Sequence, residues 1–358
     1  MQQVDLHNAM KKILSLIIPT YNMERYLNYC LDSLLINNNF DALEVLVIND
    51  GSKDNSLSIA RSYANRYPTV FRIIDKPNGN YGSCINHGLK EATGKYVKIL
   101  DADDSFDTQN FEEFVSLLTH IDVDLVLSDI VIVNEQREQT DTHVYDLPPH
   151  TLLTIEDVAS LPTFQFMQMH AVTYRRENLL KLKYRQTEGI SYTDLQWIFI
   201  PMIAVQNIYR YDKPIYRYLV GRPGQTMDPT VRNRQITQLI GSTEGALAMF
   251  NMHESAITNH HRTYLFAMMT PLVKNVYISL FTNYSKVSRQ QLLDYDAHIH
   301  QLTPAFYDYI GSAEISSFMG FQYIKYWRDH PQANIQLIRC LSSLYLILLK
   351  AKQWIKAH

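Results

Sequence analysis

The stretch Tyr96-Val97-Lys98-Ile99-Leu100-Asp101-Ala102-Asp103-Asp104 ends a short apolar run in three carboxylates. The run is typical of a buried parallel strand, because a strand covered on both faces of a sheet accepts continuous Val, Ile and Leu. Ligands of open α/β sheets bind just beyond the carboxyl ends of such strands, so we expect the acids to lie at a binding site. Two carboxylates one residue apart suit Mg²⁺ or Mn²⁺. The alternative is a solvated acidic turn that caps a helix starting near Thr108.

Further apolar runs on either side of this stretch predict the rest of a sheet. They occupy residues 13–18, 43–48, 71–75 and 124–133. Helical patterns follow the first three runs, at residues 24–35, 56–67 and 83–92. Strands that alternate with helices at this spacing predict a mostly parallel sheet of βαβ units, whose right-handed crossovers place the carboxyl ends of the strands along one rim. The sequence therefore predicts an α/β fold.

The loops at this rim carry different chemical groups. Asp50 offers a carboxylate to a ring N–H, and Lys76 offers a cation. The loop 78–83 offers flexible backbone before a helix N-terminus, which suits an anion. Each feature alone is common in turns and at protein surfaces. Their conjunction in one crevice predicts a ligand site.

Composition excludes several classes of protein. The chain has 358 residues, 46% of them hydrophobic, which is enough for a sizeable core and two domains. A formal net charge of -3 argues against a nucleic-acid partner held by phosphate neutralisation. The three cysteines, Cys30, Cys84 and Cys340, lie far apart without a C-x-x-C pair, which argues against a disulfide framework or a zinc site. These features predict a cytoplasmic protein.

The two ends of the chain bear on membrane contact. Residues 1–12 lack the apolar core of a signal peptide, and no segment approaches the ~20 apolar residues of a membrane span. Near the other end, residues 335–349 are strongly apolar, and Lys350, Lys352, Trp354 and Lys356 follow. Such a helix suits the inner face of a membrane, as a peripheral contact, or the surface of a second subunit in a homo-oligomer.

Residues 13–220 resemble the family-2 glycosyltransferases of the GT-A fold, of the nonprocessive bacterial kind. The resemblance rests on ordered motifs at residues 15–22, 48–54, 78–79 with 86–89, 94–96 and 100–104. It implies a GT-A domain at 1–232, with nucleotide-sugar binding in 13–104 and the acceptor side and a lid in 105–232. A mainly helical region, 233–358, would follow.

The resemblance also implies the residues that bind the donor. The backbone around Pro19 and Tyr21 and the carboxylate of Asp50 would hold the nucleotide base. Asp101 would contact the ribose or diphosphate and share a Mn²⁺ or Mg²⁺ ion with Asp103. Asp104 is expected to support these residues or to cap the next helix, and a role as a metal ligand stays open for it. The remaining predicted donor-binding residues are Lys76, Asn78, Gly79 and Arg222.

Family members carry an acidic pair before a helix on the acceptor side, and one of its members is the general base. Here the pair is Thr193-Asp194, so Asp194 is the candidate base. Inversion requires a carboxylate that faces the anomeric carbon opposite the diphosphate, and a helix N-terminus favours its ionised form. Glu188, on the preceding loop, is the alternative base.

The roles of two segments on the acceptor side are not assigned by the sequence. Family members often place a histidine in the lid, whereas residues 221–226 contain Arg222 and no histidine. The third metal ligand is therefore unassigned, and Arg222 could neutralise phosphate directly. Residues 164–170 suit either contacts with an acceptor sugar or a buried edge. His170 is expected to be a core histidine with its hydrogen bonds satisfied.

These features predict a metal-dependent, inverting glycosyltransferase that moves a sugar from a UDP-sugar to a glycan or lipid-linked acceptor in cell-surface polysaccharide synthesis. One alternative is a scaffold that binds nucleotide-sugars without turnover. Another is a sugar-1-phosphate nucleotidyltransferase, which needs a Gly- and Arg-rich loop after the first strand. Residues 20–23 do not provide such a loop.

Overall fold

The computed structural model describes residues 12–165, 167–222, 236–282, 285–312, 317–318 and 321–330, and residues 336, 338–340, 343–344 and 347–348. The chain divides into two compact units, Met1–Gln225 and Thr226–His358. The domain boundary predicted after residue 232 falls within residues 223–235, outside the described residues.

The first half of unit 1 is a series of βα units. Its strands are β1 (Leu14–Thr20), β2 (Leu43–Asp50), β3 (Phe71–Lys76) and β4 (Tyr96–Ile99). Its helices are α1 (Leu27–Asp32), α2 (Ser56–Arg66) and α3 (Asn80–Glu91). The parallel pairs β1–β2, β2–β3 and β1–β4 place the carboxyl ends of the four strands along one rim.

The second half of unit 1 completes a mixed sheet. Its strands are β5 (Ser105–Phe106), β6 (Leu125–Val133), β7 (Gln139–His143), β8 (Leu152–Thr154), β9 (Val172–Arg175) and β10 (Asn207–Leu219). Its helices are α4 (Thr108–Leu118), α5 (Ile155–Val158), α6 (Pro162–Gln165), α7 (Arg176–Lys181) and α8 (Asp194–Phe199). The sheet order is β3-β2-β1-β4-β9-β6-β10-β5, with β7 beside β6 and β8 beside β10.

Strand β9 decides how the two halves join. It runs antiparallel to both β4 and β6, and thereby brings the chain before β9 to the carboxyl end of β4. The predicted α/β fold is confirmed, and the antiparallel β9 is an addition that the apolar pattern did not indicate.

Strand β10 corrects a detail of the sequence analysis. Residues 207–211 and 214–219 are predicted as two short strands, whereas one strand spans Asn207–Leu219. Its register against β6 shifts between Tyr211 and Pro214 and again before Tyr216. Pro214 has no N–H to donate to the ladder, so the strand tolerates it at an irregularity.

Close packing fixes α3 on the sheet. A Cβ added to Gly88 would lie 2.5 Å from Cγ2 of Ile17, so only glycine lets the helix approach β1 this closely. A Cβ on Gly82 would lie 2.1 Å from the carbonyl oxygen of Thr187. The N-terminal half of α3 is thus pressed against the loop that precedes α8.

Unit 2 is mainly helical, as predicted. Its helices are α9 (Ile236–His253), α10 (Asn259–Thr282), α11 (Lys286–Leu302), α12 (Pro304–Gly311) and α13 (Tyr323–Asp329). Strands β11 (Ser317–Phe318) and β12 (Phe321–Gln322) form a small antiparallel pair. Arg328 donates to Asp296 (Nε to Oδ1, 2.8 Å) and joins α13 to α11.

Helix α10 departs from the prediction that no segment is long enough to cross a bilayer. Among the described residues it passes that test by length and composition, with 24 residues and a mean hydropathy of 1.3 in its most apolar window. Because 61% of this window is buried within the protein, a core helix accounts for it. The predicted apolar helix at 335–349 lies mostly outside the described residues.

Candidate active site

The loops after β1 and β2 bind each other at the rim of the sheet. The backbone N–H of Asn22 donates to Oγ of Ser52 (3.1 Å), and that of Lys53 donates to Oδ1 of Asn22 (2.8 Å). Pro19 lies in β1 opposite Ile48, and Tyr21 follows with 47% of its surface exposed. These bonds hold the two loops together where Tyr21 lies at the rim.

The Asp50 carboxylate accepts hydrogen bonds from three other predicted donor-binding residues. Its Oδ1 accepts hydrogen bonds from Nζ of Lys76 and from the backbone N–H of Gly79 (2.9 Å). Its Oδ2 accepts one from Nδ2 of Asn78 (3.0 Å). The side chains of Asp50 and Lys76 are only 4% and 7% exposed. The lysine cation therefore compensates Asp50 in this structure.

Two carboxylates at the end of β4 are held by tyrosine hydroxyls. Tyr81 donates to Oδ1 of Asp101 (2.8 Å), and Tyr216 donates to Oδ2 of Asp104 (2.8 Å). Tyr216 also accepts from the backbone N–H of Asp101 (3.1 Å), while Leu219 N–H donates to Oδ1 of Asp104 (2.7 Å). Strand β10 thus holds both acids in place.

Asp103 has a different partner. Its Oδ2 accepts a hydrogen bond from Nε of Arg222, the predicted lid residue. Its carbonyl oxygen accepts one from Arg137 (3.0 Å), whose guanidinium lies 4.2 Å from the ring centre of Tyr29. The structure therefore brings Arg222 to the acidic stretch through an ion pair with Asp103.

The carboxylates of Asp101, Asp103 and Asp104 lie close together and are partly or fully buried. Burial, and next the charge of Asp103, raises the pKa of Asp101 to about 7. Burial also raises the pKa of Asp104 well above its ordinary value, with Asp103 and Asp101 adding to the effect. Removal from water and mutual repulsion both disfavour the ionised forms, and a bound cation would relieve both.

A group of three side chains here fits a divalent metal ion. One ligand atom each from Asp101, Asp104 and His170 lie within 4.8 Å of one another. Nδ1 of His170 is buried and has no hydrogen-bond partner among the described residues, contrary to the expectation of a satisfied histidine. Burial lowers the pKa of His170 to about 3, so its imidazole is neutral and able to ligate. Asp103, predicted as a ligand, lies outside this group.

Asp194 is the first residue of α8, as the sequence predicts. Its side chain is partly buried, and its charge contributes to the raised pKa values of Asp101 and Tyr81. The candidate base is therefore within electrostatic reach of the acids at the end of β4.

Glu188 is bound on the flank of α3. Its Oε1 accepts hydrogen bonds from Nδ2 of Asn86 (2.7 Å) and from Arg185 (3.0 Å). The bond from Asn86 is the main cause that lowers the pKa of Glu188. This alternative base is ionised and partnered.

The loop between α7 and α8 is tied to both neighbouring helices. Asn86 on α3 pairs with the backbone of Gln186, with one bond in each direction at 2.9 Å. Gln196 on α8 accepts from Thr187 N–H (2.8 Å) and donates to the Thr187 hydroxyl (2.9 Å). Gly189 N–H donates to the Gly79 carbonyl (3.1 Å). These bonds link the helix that carries Asp194 to the Asp50 loop.

A cavity of about 410 Å³ opens between α3 and α7. Apolar and basic side chains line it, together with Glu188; they include Leu89, Lys90, Leu179, Leu180, Lys183, Tyr184 and Arg185. Such a lining suits a ligand with both apolar and anionic parts.

The sequence did not indicate that Tyr81 and Tyr216 would hold the acids, or that His170 could ligate a metal ion. Tyr216 belongs to the alternation of aromatic and basic residues in β10, which was a usable signal for a strand but not for a site. His170 carried no signal, because its neighbours Asp101 and Asp104 are far away in the chain.

Comparisons with known proteins show the family of the chain. The model of glycosyl transferase family 2 matches residues 15–182. The uncharacterized glycosyltransferase YibD of Escherichia coli K12 is 30% identical over 214 residues, which are 57% of this chain and 60% of YibD. The MG025 homolog of Mycoplasma pneumoniae, also named an uncharacterized glycosyltransferase, is 31% identical over 222 residues, 60% of this chain and 70% of the relative. The match thus spans less than two thirds of YibD.

Solved structures share the fold. Residues 1–349 of TarS from S. aureus, in complex with UDP, superpose with a TM-score of 0.65 at 18% identity, over 93% of this chain and 91% of that one. The same part of TarS with UDP-GlcNAc gives 0.52 at 17% identity, over 89% and 92%. The family model and the M. pneumoniae relative show that the chain belongs to glycosyl transferase family 2, and it is a glycosyltransferase with the GT-A fold that TarS shares.

Proposed function

We propose that the protein transfers a sugar, with inversion, from a UDP-sugar to a glycan or lipid-linked acceptor in cell-surface polysaccharide synthesis. The observation that carries this proposal is the convergence of the Asp50 loop, the acids at the end of β4 and the start of α8 on one rim. A nucleotide, a cation and an acceptor hydroxyl each need one of these elements.

The donor half of the proposal rests on the Asp50 loop. Lys76 and Gly79 orient the Asp50 carboxylate, which leaves a lone pair of Oδ2 for a ring N–H of the base. Tyr21, exposed at the rim, would lie against the base. The TarS complexes with UDP and UDP-GlcNAc support uridine as the nucleotide for this chain.

The acids at the end of β4 would hold a divalent cation, Mn²⁺ or Mg²⁺. Such an ion offsets the charge that develops on the leaving diphosphate. Arg222, at the far end of the ion pair with Asp103, would add a second positive charge on the diphosphate side.

Asp194 would act as the general base. Its carboxylate accepts the proton of the acceptor hydroxyl while the hydroxyl oxygen bonds to the anomeric carbon, and the bond from that carbon to the diphosphate oxygen breaks on the opposite face. Gln196 and Thr187 fix the start of α8 against the preceding loop, and Asn86 binds that loop to α3, so the base is positioned before the acceptor binds.

The cavity between α3 and α7 supports the acceptor half of the proposal. Its leucines suit a lipid or a sugar face, and Lys90 and Lys183 suit a phosphate on the acceptor. We place the reaction in the cytoplasm, where Cys30 and Cys84, buried and unpaired, would stay reduced. The apolar segment at 335–349 would supply contact with the membrane or with a second copy of the chain.

A donor screen tests this proposal. The full chain is incubated with a panel of UDP- and GDP-sugars in Mn²⁺, in Mg²⁺ or in EDTA, and nucleotide release is measured. We expect release from a UDP-sugar that EDTA abolishes, and NMR of the first product should show an inverted anomeric centre. Binding of UDP-GlcNAc without turnover across acceptors would instead favour the scaffold. Pyrophosphate release from UTP and a sugar 1-phosphate would favour the nucleotidyltransferase.

A further inference from the structure

We propose that His170 is the third protein ligand of the divalent cation, with Asp101 and Asp104, and that its imidazole makes the site prefer Mn²⁺ to Mg²⁺. This inference deepens the proposed function and rests on it. It assigns a ligand from the acceptor side of the sheet, and it replaces Asp103 by Asp104 in the ligand set.

The topology of the sheet brings His170 to the acids. His170 lies in the single turn Met169–Ala171 that leads into β9. Because β9 runs antiparallel to β4, the residues before β9 lie at the carboxyl end of β4, where the acids follow. A ring nitrogen of His170 then lies within 4.8 Å of a carboxylate oxygen of both Asp101 and Asp104.

Hydrogen bonds from β4 and β6 hold the backbone of this turn. Nζ of Lys98, a buried residue of β4, donates to the carbonyl oxygen of His170 (2.6 Å) and to that of Val172 (3.2 Å). Ser128 on β6 donates to the carbonyl oxygen of Ala171 (3.2 Å). Two strands thereby fix the position of His170.

The imidazole ring is held between two tyrosines of β10. It stacks on Tyr218 with 4.3 Å between ring centres and an angle of 28° between planes, and it lies 4.8 Å from the ring of Tyr216. Tyr216 is the residue whose hydroxyl binds Asp104, so one side chain positions two ligands. Such support restricts the rotamers of a ligand before the metal arrives.

Nδ1 of His170 lacks the hydrogen-bond partner that a buried polar atom normally has. His170 is 9% exposed, and its Nδ1 has no hydrogen-bond partner among the described residues. Leaving a buried acceptor or donor unpaired is unfavourable, because the group has lost its hydrogen bonds to water. An imidazole nitrogen without a hydrogen-bond partner can offer its lone pair to a metal ion, and His170, unlike His143, has this nitrogen on a ring that lies beside two carboxylates.

The spacing of the three ligand atoms suits one ion. Ligands at about 2.1 Å from an ion lie at most about 4.2 Å apart, so atoms within 4.8 Å of one another need only move slightly closer. Waters and diphosphate oxygens would complete the coordination. Asp103, bound to Arg222, would stay outside it.

An imidazole ligand affects which divalent ion the site prefers. Mg²⁺ takes oxygen ligands almost exclusively, whereas imidazole suits first-row transition metals, of which Mn²⁺ also accepts carboxylates. Two carboxylates and one imidazole therefore favour Mn²⁺.

Pulsed electron paramagnetic resonance of bound Mn²⁺ tests the ligand directly, since a coordinated imidazole nitrogen modulates the electron spin echo. The full chain is measured with MnCl₂ and UDP, without any sugar transfer. We expect histidine-nitrogen modulation in the wild type, its loss in His170→Ala and its retention in His143→Asn. His143 is a matched control because its Nε2 is also buried without a partner among the described residues, outside the metal group. Modulation that persists in His170→Ala, or none in the wild type, would overturn the proposal.

Calorimetry gives a second, independent readout. We expect His170→Ala to weaken Mn²⁺ binding at least about 10-fold and Mg²⁺ binding by less. An equal loss for both ions would contradict the claimed preference. Should His170→Ala fail to fold, wild-type protein labelled with ¹⁵N-histidine shows whether a histidine ligates, and Asp104→Asn against Asp103→Asn shows which carboxylate does. Tight Mn²⁺ binding with a histidine ligand would stand even if no UDP-sugar were turned over, so the two proposals fail separately.

Discussion

Two buried carboxylate sites in unit 1 differ in how their charge is compensated. Asp129 on β6 accepts two hydrogen bonds from Nη2 of Arg210 on β10, at 2.7 and 2.8 Å, and both side chains are at most 5% exposed. Asp101 and Asp104, at the end of β4, accept from tyrosine hydroxyls and a backbone N–H, which carry no charge. The first site contains its own counter-charge, whereas the hydrogen-bond donors of the second supply none.

This difference separates structural from functional acids. A buried carboxylate with its own guanidinium needs no ligand, and loss of one partner leaves a buried charge that destabilises the fold. Carboxylates held by neutral donors repel each other until a cation binds. A bound cation would relieve this repulsion, which favours its binding. Four substitutions test this contrast, in order of decreasing expected effect.

Asp194→Asn should have the largest effect. The change removes the proton acceptor but keeps the size of the side chain, so transfer should fall roughly 10²- to 10⁴-fold while UDP affinity stays within a few-fold. Single-turnover transfer and calorimetry with UDP measure the two quantities, and Glu188→Gln is the matched variant. Near-normal transfer by Asp194→Asn when chemistry limits the rate would move the base elsewhere, with Glu188 next in line.

Arg210→Met should destabilise the protein without touching the metal site. Removing the guanidinium leaves Asp129 charged and buried, which costs about 3–5 kcal/mol of unfolding free energy. Urea denaturation measures the loss, and Mn²⁺ affinity of the folded variant should equal that of the wild type. The double variant Arg210→Met with Asp129→Leu should recover most of the stability. A parallel loss of Mn²⁺ affinity would mean that the two sites are not independent.

Mn²⁺ should stabilise the wild type but not Asp104→Asn. At 100 times its dissociation constant, an ion that binds only the folded state adds about 2.7 kcal/mol to the free energy of unfolding. Urea denaturation at neutral pH, with Mn²⁺ or with EDTA, gives the difference. Arg210→Met should retain the full gain, because its defect lies elsewhere. Equal stabilisation of Asp104→Asn would remove Asp104 from the ligand set.

Tyr216→Phe should have the smallest effect. It deletes the hydroxyl that donates to Asp104 and accepts from Asp101 N–H, so we expect a loss of about 1 kcal/mol in stability and a few-fold weaker Mn²⁺ binding. Tyr211→Phe is the control, since its hydroxyl donates to the Asn110 carbonyl (3.2 Å). That variant should lose similar stability with unchanged Mn²⁺ binding. Identical Mn²⁺ affinities in the two variants would show that the hydroxyl of Tyr216 does not position the ligands.

Local patterns were sufficient for the first half of the fold. The alternation of apolar runs and helical patterns predicted β1 to β4 and α2 to within a few residues, because buried parallel strands and amphipathic helices leave distinct periods in a sequence. Helix α1 (Leu27–Asp32) was shorter than the predicted 24–35, and at its end Ser33 accepts hydrogen bonds from the Phe106 N–H and the Thr108 hydroxyl, which are distant in the chain. Boundaries that depend on such contacts leave no local pattern.

The sequence by itself determined the family, the alternation of strands and helices in the first half of unit 1 and the acids that follow β4, because motif spacing and periodicity are properties of the chain. Only the tertiary structure decided which partner each acid receives: Lys76 for Asp50, Arg222 for Asp103, and neutral hydroxyls for Asp101 and Asp104. It also brought His170 beside the acids, through an antiparallel β9 between β4 and β6. Pairing between strands distant in the chain follows from packing of the whole sheet, and the charge balance of a buried carboxylate follows from that pairing.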